Sequence, residues 1–525
     1  MKRPLAVFGF TLLAATFVLC IFSDVSLAIL TALISYILFM VSAVVPKMRK
    51  GYFMPTIMLS CIVASVMFYG VQTHYDNLAC LVGDNADIVC TVKEEPIFNK
   101  EYGRYYCKAE LDTVDCKKYH GNIRLSFNNT YDNINPESLK ISNKLSFSST
   151  LYKVGGEDRA IADYFKSENI YIGAYGIKNL EMTECRIRPL GYYGNELRKA
   201  IYHNFKDNFP AKTAGFLTAL LTGDKTYVSD ETYDSFKNSG TAHLMAVSGM
   251  HLTVLTMFLG LLLIRLRDSH KYLYMSLMSA FILFIMFLAS FSASVVRAGV
   301  MLLLLLTGRL TDKRADSLNS LGFACLCIIA VNPFSVLSVG FLLSVFSTLA
   351  IIISAAPFCN RHRYFLCDRL GFKGAISFPV SRAVMLSVVI SLCVMVYTLP
   401  IMAISFGMIS LISPIANLLL LPVTSLIIIS AFISAILCAV DIMPSLLTFI
   451  VEKISAYCLG VADLLGSTEQ FVLKIDTPLK TALCLVFPFA LYLAIKTASC
   501  LFKKIKNKKE SHCNGGFNCY KSSAS

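Results

Sequence analysis

The chain has 525 residues, 55% of them hydrophobic and only 16% charged, with a formal net charge of +14. A soluble domain is about 45–50% apolar and about 25% charged, so with a mean hydropathy of +0.61 this composition excludes an ordinary soluble protein. Apolar runs of about 20 residues recur, each able to cross a bilayer as a helix, and they lack the alternation of membrane barrel strands. Lys and Arg gathered on cytoplasmic loops account for the positive excess.

In chain order, residues 4–22 behind Lys2 and Arg3 have the outline of a signal peptide. Apolar sequence resumes at Val25 and runs to Val45, so an uncleaved first span is expected. The KMRK run at 47–50 marks the inside, a third run from Phe53 to Tyr69 leads out, and residues 71 to about 210 fall outside. That region reads as mainly β. RYYCKAELDTVDCKKYHGNIRLSF alternates in short runs, and VGGEDRAIADYFKSENIYIGAYG predicts a turn at Gly155-Gly156 and a short helix over 161–167. Five of the 18 cysteines, Cys80, Cys90, Cys107, Cys116 and Cys185, lie here. An outer location makes disulfides among them expected, with the pairing open.

An amphipathic helix is expected over 192–208. The run Thr213 to Leu221 is too short to span and reads as interfacial or re-entrant. Ser229 shows no evident capping role, while Asp230 and Glu231 suit a helix start. Spans are expected at 243–264, 272–290, 292–309, 318–332, 335–357, 376–398, 423–441, 446–466 and 479–500. Basic residues punctuate them at 265–271, 309–314, 361–369 and 503–509, all read as cytoplasmic. The stretch 401–421, with Gly407 and Pro414 between Pro400 and Pro422, reads as a broken or re-entrant helix. The regions expected are three helices over 1–70, an outer β-rich domain over 71–190, and a helical connector over 191–240. A helix bundle over 241–502 and a basic cytoplasmic tail over 503–525 complete them.

The segment SGTAHLMAVSGMHLTVL places His243, Ser248 and His251 at the start of a span. On one helix, Ser248 and His251 share a face and His243 falls on roughly the same side. Such groups either join helices by hydrogen bonds or line a wet path. A serine near a histidine also reads as nucleophile and base. AVSGMH resembles a segment of intramembrane serine proteases, although Ala246 stands where those carry glycine. Arg297 within a span either snorkels outward or marks a path for an anion. Asp316 and Asn319 suit the cap of the next helix, and Asn332-Pro333 ends it. The eight histidines include no H-x-H or H-E-x-x-H pair, and no P-loop occurs, so neither a histidine-based metal centre nor an ATP motor is expected.

From about residue 50 to 500 the chain resembles the ComEC-type competence proteins. The resemblance rests on Gly223-Asp224, Phe236, then Gly240, His243, Ser248-Gly249 and His251 at the family's spacing. Arg297-Ala298, Asp316, Asn319, Asn332-Pro333, Gly340-Phe341, Leu343-Ser344, Ser413-Pro414, Asn417 and Pro422 follow in order. Leu342 stands where the family often has glutamine. Many members also carry a C-terminal metallo-β-lactamase-like domain; this chain has no histidine cluster for one, so strand degradation is expected to belong to another protein or not to occur.

The resemblance implies a polytopic α-helical membrane protein of the bacterial cytoplasmic membrane with an OB-like extracytoplasmic domain. It implies a channel for single-stranded DNA in natural transformation rather than an enzyme, with no cofactor. Gly223, Asp224, Gly240, His243, Ser248, Gly249, His251, Arg297, Asp316, Asn319 and Asn417 are then candidates for the DNA pathway. Tyr105, Lys108, Lys117 and Arg124 are candidate single-strand contacts, since OB-folds combine a basic groove with aromatic platforms. Membrane lipid, an extracellular DNA receptor and a cytoplasmic helicase-like ATPase are implied as partners; homo-oligomerisation is left open. The competing readings are a membrane hydrolase using Ser248 and a small-solute transporter.

Overall fold

A computed structural model describes residues 3–44, 53–99, 102–128, 134–156, 158–184, 188–313, 315–361, 377–467 and 472–475. The KMRK run, Cys185, the expected span 479–500 and the basic tail lie outside them. Contacts divide the chain into two compact units, Met1–Val345 with Ile412–Glu469, and Phe346–Leu411 with Gln470–Ser525. Among the described residues eight helices are long and apolar enough to cross a membrane, with shorter apolar helices at Val25–Met40, Gly249–Leu262 and Ser317–Val331.

In the first unit, α1 (Pro4–Phe22), α2 (Val25–Val44) and α3 (Phe53–Ala79) form a packed trio. Pro4 opens α1, where its missing N–H costs nothing. Hydroxyls join the helices: Thr11 meets Ser60, and Thr31 lies 2.9 Å from Ser65. Such pairs hold helices together where lipid removes the hydrophobic drive.

Five strands then close a barrel: β1 (Asn85–Val92), β2 (Arg104–Val114), β3 (Asn122–Phe127), β4 (Lys144–Lys153) and β5 (Ile170–Thr183). β1 pairs with β2, β2 with β3, β3 with β5 in parallel, β5 with β4, and β4 returns to β1. This is the circular order of an OB-like barrel, as the family resemblance implies. Ile88, Cys90, Ile123, Leu125, Leu145 and Leu151 fill the interior on alternate positions. Gly155 and Gly156 both take positive φ (92° and 54°), giving the expected turn before α4 (Arg159–Ser167), whose N-cap is Asp158. α4 lies in the β4–β5 connection.

The connector is α5 (Leu190–Asn208), α6 (Ala211–Thr222) and α7 (Asp230–Asn238). Of the two expectations for α6, the interfacial one is corrected: every residue from Thr213 to Thr222 is buried. α6 packs against α5, α14 (Ser413–Ala439) and α15 (Ser445–Gly466), so protein rather than lipid receives its apolar surface. Ser229 is the N-cap of α7 and accepts from the Thr232 N–H at 3.3 Å, another correction. Phe216 and Phe236 stack at 5.7 Å in the main core, which also holds Phe205, Ile282, Leu420 and Ala462.

The expected span 243–264 is in fact a 3₁₀ turn (Ala242–Met245), an extended Ala246, and a helix α8 that starts only at Gly249 and ends at Leu262. His243 and His251 therefore do not share a helix face. A short helix, Ile264–Ser269, leads to α9 (Lys271–Leu288), α10 (Ala293–Leu310), α11 (Ser317–Val331), a 3₁₀ turn at Pro333–Leu337, and α12 (Val339–Ala350). In the second unit, a π turn (Ile351–Ala355) precedes a short helix, Ala356–Arg361. α13 (Ser377–Phe406) continues past Pro400, with Tyr397 bonded to Ser354 at 2.8 Å. Strand Met408–Ser410 then pairs with Val472–Lys474. The expected broken helix over 401–421 is thus an interruption at 407–412, where Gly407 takes φ +61°. Asn417 and Pro422 lie inside continuous α14.

Candidate functional site

On the barrel, the candidate single-strand contacts separate. Tyr105 faces the barrel's end, stacked on Phe127 at 5.7 Å and beside Phe98 at 4.9 Å. Lys108 and Arg124 sit opposite each other on the outward face of β2 and β3, but α4 and the residue after it cover them. Lys108 pairs with Glu168 at 3.0 Å and Glu94 at 3.5 Å. Burial works against its ammonium, yet the two carboxylates prevail and raise its pKa. The Arg124 guanidinium lies between the rings of Tyr106 (3.7 Å) and Phe165 (4.7 Å). Lys117 is exposed on a short edge strand, Lys117–Lys118.

The four expected disulfide cysteines are free thiols here: Cys80 and Cys116 exposed, Cys90 and Cys107 buried. Cys90 pairs with Leu111, four residues along the strand from Cys107. At ~3.3 Å per residue, that puts the two α-carbons well beyond the ~7 Å a bridge allows. Cys107 donates instead to the Glu94 carbonyl at 3.1 Å, and burial pushes its thiol up to about 12.

In the bundle, the structure gathers part of the predicted set. Gly223 ends α6 with φ +80°. Asp224 then makes a local turn, accepting from the N–H of Thr226 at 3.0 Å and its hydroxyl at 2.6 Å. Gly240, φ +73°, turns the chain after α7, and its carbonyl accepts from Ser413 at 3.4 Å. Ser413 in turn accepts from Asn417 at 3.4 Å, and the Asn417 Oδ1 is buried with no hydrogen-bond partner. His243, in the 3₁₀ turn before α8, is exposed.

Ser248 is the N-cap of α8. Its backbone N–H donates to the His251 Nδ1 at 3.2 Å, which leaves Nδ1 bare and makes the Ser248 hydroxyl, 2.8 Å away, a donor to the same atom. The proton of the neutral ring is then on Nε2, which is buried near the Leu244 carbonyl and completes no hydrogen bond of good geometry among the described residues. The next residue, Gly249, lies against α10: a Cβ there would stand 3.0 Å from Arg297 Nη2 and 3.1 Å from Ala298 Cβ. Arg297 is 7% exposed. Its Nε donates to Ser344 Oγ at 2.8 Å, and Ser344 Oγ lies 3.0 Å from Ser294 Oγ. Among the described residues no carboxylate lies within ion-pair distance of Arg297. Ser294, Ser344 and Ser413 were absent from the predicted site; the Gly-Phe-Leu-Leu-Ser element was the signal for Ser344.

Asp316 and Asn319 stand apart from this group. Asp316 caps α11, accepting from the Asn319 N–H at 3.0 Å, and binds Arg3 at 2.9 Å. Asn319 Oδ1 accepts from the Ala6 N–H at 3.1 Å, so both clasp α1 to α11.

The family model described as "Competence protein" matches residues 220–499, a little over half of the chain and the whole of the polar seam. The chain belongs to the competence protein family. One relative is the ComE operon protein 3 of Bacillus subtilis (strain 168), 28% identical over 226 residues, which are 43% of this chain and 26% of the relative. The chain therefore matches about a quarter of that relative's length. No solved structure matches. With its family and its apolar helices, this competence protein is a multi-pass protein of the cytoplasmic membrane.

Proposed function

We propose that this competence protein passes single-stranded DNA inward across the cytoplasmic membrane during natural transformation. The observation that carries the reading is a convergence inside the segment matched by the family model. A buried arginine, with no carboxylate in ion-pair distance among the described residues, meets Ser344, which in turn meets Ser294, and lies against the first residue of α8. A cation placed so in a membrane bundle is costly, and such groups border the paths of charged cargo. Gly223, Asp224, Gly240, His243 and Asn417 belong to the same proposed route, and weak contacts spread along it suit a cargo of any sequence. Asp316 and Asn319 act on the route only by fixing α1 on α11. The driving force comes from a cytoplasmic helicase-like ATPase, and an extracellular receptor delivers the strand.

The test is uptake of labelled DNA in a competent host that lacks this gene, with and without the wild-type gene restored, scoring surface and cytosolic label separately. Deletion leaves surface label in place and abolishes cytosolic label. Unchanged entry would end the proposal and favour a solute transporter.

The 2.8 Å approach of Ser248 to His251 is the one observation that favours a hydrolase. Nδ1 is also held by the backbone N–H of Ser248, which is the arrangement of a helix cap, and Nε2 has no orienting carboxylate. Ser248→Ala therefore costs about 1 kcal/mol of helix start and lowers uptake less than tenfold. A nucleophile's loss would be about a thousandfold or more.

The covered barrel face gives a further expectation. Glu168 and Glu94 together hold Lys108 as a phosphate would, so the double variant Glu94→Gln with Glu168→Gln frees the ammonium for a strand. Affinity of the full-length protein for a thymidine oligonucleotide is expected to rise about fivefold, the equivalent of roughly 1 kcal/mol. Fluorescence anisotropy measures it; no rise would mean that β2 and β3 do not face the strand.

A further inference from the structure

We propose that the guanidinium of Arg297 and the amino end of α8 form a binding site for one backbone phosphodiester of the passing strand; this rests on the DNA-transport reading above and names its ligand contact. The argument begins with unbalanced charge. Arg297 is 93% buried by its 7% exposure, and its partners are the Ser344 hydroxyl and the Met301 sulfur, the latter a weak acceptor at 3.5 Å. Neither neutralises it. A desolvated cation without a counter-charge is strongly unfavourable.

Its neighbour makes the imbalance larger. Nη2 lies against Gly249, the first residue of a 14-residue helix. The amino end of a helix carries about half a positive charge and N–H groups with no intrahelical acceptor. Two positive ends thus face one place, and Nη2 completes no hydrogen bond among the described residues. Glycine at 249 permits this approach, since a methyl group there would crowd both Nη2 and Ala298. Ser344 holds Nε and so sets the plane of the fork.

An anion with two oxygens in one plane completes such an arrangement, because a guanidinium fork binds it at two points. A phosphodiester has two such non-bridging oxygens. Among the described residues no aromatic ring lies over Arg297, in contrast to Arg124, so the site is suited to the backbone and not to a base. Recognition of the backbone alone is blind to sequence, as a conduit for any strand requires. The phosphate of a lipid headgroup has the same chemistry; we commit to the strand, and the experiment separates the two.

Full-length protein is placed in phosphatidylcholine nanodiscs, and binding of a labelled thymidine oligonucleotide is measured against potassium chloride concentration. Arg297→Met is expected to weaken binding about tenfold and to lower the slope of log affinity against log salt by about 0.7, one phosphate's share on a single strand. Arg297→Lys keeps the slope but not the fork, and loses several-fold in affinity. Gly249→Ala displaces the guanidinium without changing charge, and keeps the test alive if the methionine variant does not fold. An oligonucleotide with uncharged methylphosphonate linkages should bind wild type and Arg297→Met alike. Wild type that binds with a slope untouched by all three variants overturns the site and leaves the transport reading standing. Wild type that binds no oligonucleotide at any salt overturns both. If the variants lose only retention of anionic lipid, seen by native mass spectrometry, the ligand is a headgroup and the assignment to DNA is wrong.

Discussion

Gly322→Leu is expected to abolish accumulation of folded protein, and Gly9→Leu to do the same. At their crossing, α1 and α11 touch backbone to backbone. A Cβ on Gly322 would stand 2.4 Å from the Leu5 carbonyl oxygen and 2.7 Å from the Ala6 Cα; one on Gly9 would stand 2.1 Å from the Gly322 oxygen. No rotamer relieves a clash with backbone, so the helices must separate. Separation also breaks the bond from the Ala6 N–H to Asn319 and the Arg3–Asp316 pair, and exposes Leu12 and Leu19, which are 0% and 2% exposed. Overpacking costs about 1–3 kcal/mol where side chains can move; here the upper end is the expected minimum. Small residues that bring helices close are the means by which helices associate in lipid. The readout is yield and melting temperature of the detergent-solubilised protein. Gly70→Ala, where nothing lies within 4 Å of the added methyl, serves as the control and should be neutral or slightly stabilising. Equal behaviour of Gly322→Leu and the control would show that the clasp does not hold this end of the bundle.

Asp316 and Asn319 show where reading from sequence reaches its limit. The Asp-x-x-Asn spacing marks a helix start, and Asp316 does cap α11. The partners that turn the cap into a clasp, Arg3 and Ala6, lie 313 residues away and leave no local trace. Lys108 and Arg124 have the residue types of a nucleic-acid face, yet Glu168 and Phe165 reach them from a helix after the next strand. Alternation identified the barrel strands, because one buried face imposes a period of two. Pairing of Cys90 with Leu111 was not legible, since register belongs to the closed sheet. Hydropathy found the spans because lipid imposes a length on every crossing helix. It misplaced the start of α8 and allowed an interfacial α6, because hydropathy does not tell protein from lipid as the solvent of an apolar surface.

The second large effect concerns how the barrel is held. Phe334→Ala should loosen the barrel from the bundle by about 3–5 kcal/mol, the usual cost of deleting a buried phenyl ring. Phe334 is 1% exposed and meets Phe68, Tyr75 and Tyr171 edge to face at 6.2–6.4 Å. Phe68 and Tyr75 belong to α3, Tyr171 to β5, and Phe334 to the turn after α11, so a single ring joins three parts of the first unit. Lys166 of α4 lies over Tyr75 at 4.2 Å; burial lowers its pKa, with Asp163 acting in the opposite sense. The turn that carries Phe334 is shaped by Asn332, whose Oδ1 accepts from the Phe334 N–H at 2.9 Å. The Nδ2 of Asn332 donates to the Ser167 carbonyl at 2.8 Å. Asn332→Ala removes both bonds but leaves the ring, and should cost about 1–3 kcal/mol, less than the loss of the ring itself. Hydrogen exchange over 159–177 measures the two variants: protection should fall in both, further in Phe334→Ala, while exchange in α10 stays as in wild type. If protection over 159–177 survives loss of the ring, the aromatic hub does not anchor the barrel, and the chain links to α3 and α5 with contacts such as Lys199 to Glu95 must position it. If it falls as expected, uptake should fall with it. A strand arriving on a barrel that is no longer fixed over the bundle meets the Arg297 seam less often, although no residue of the seam has changed.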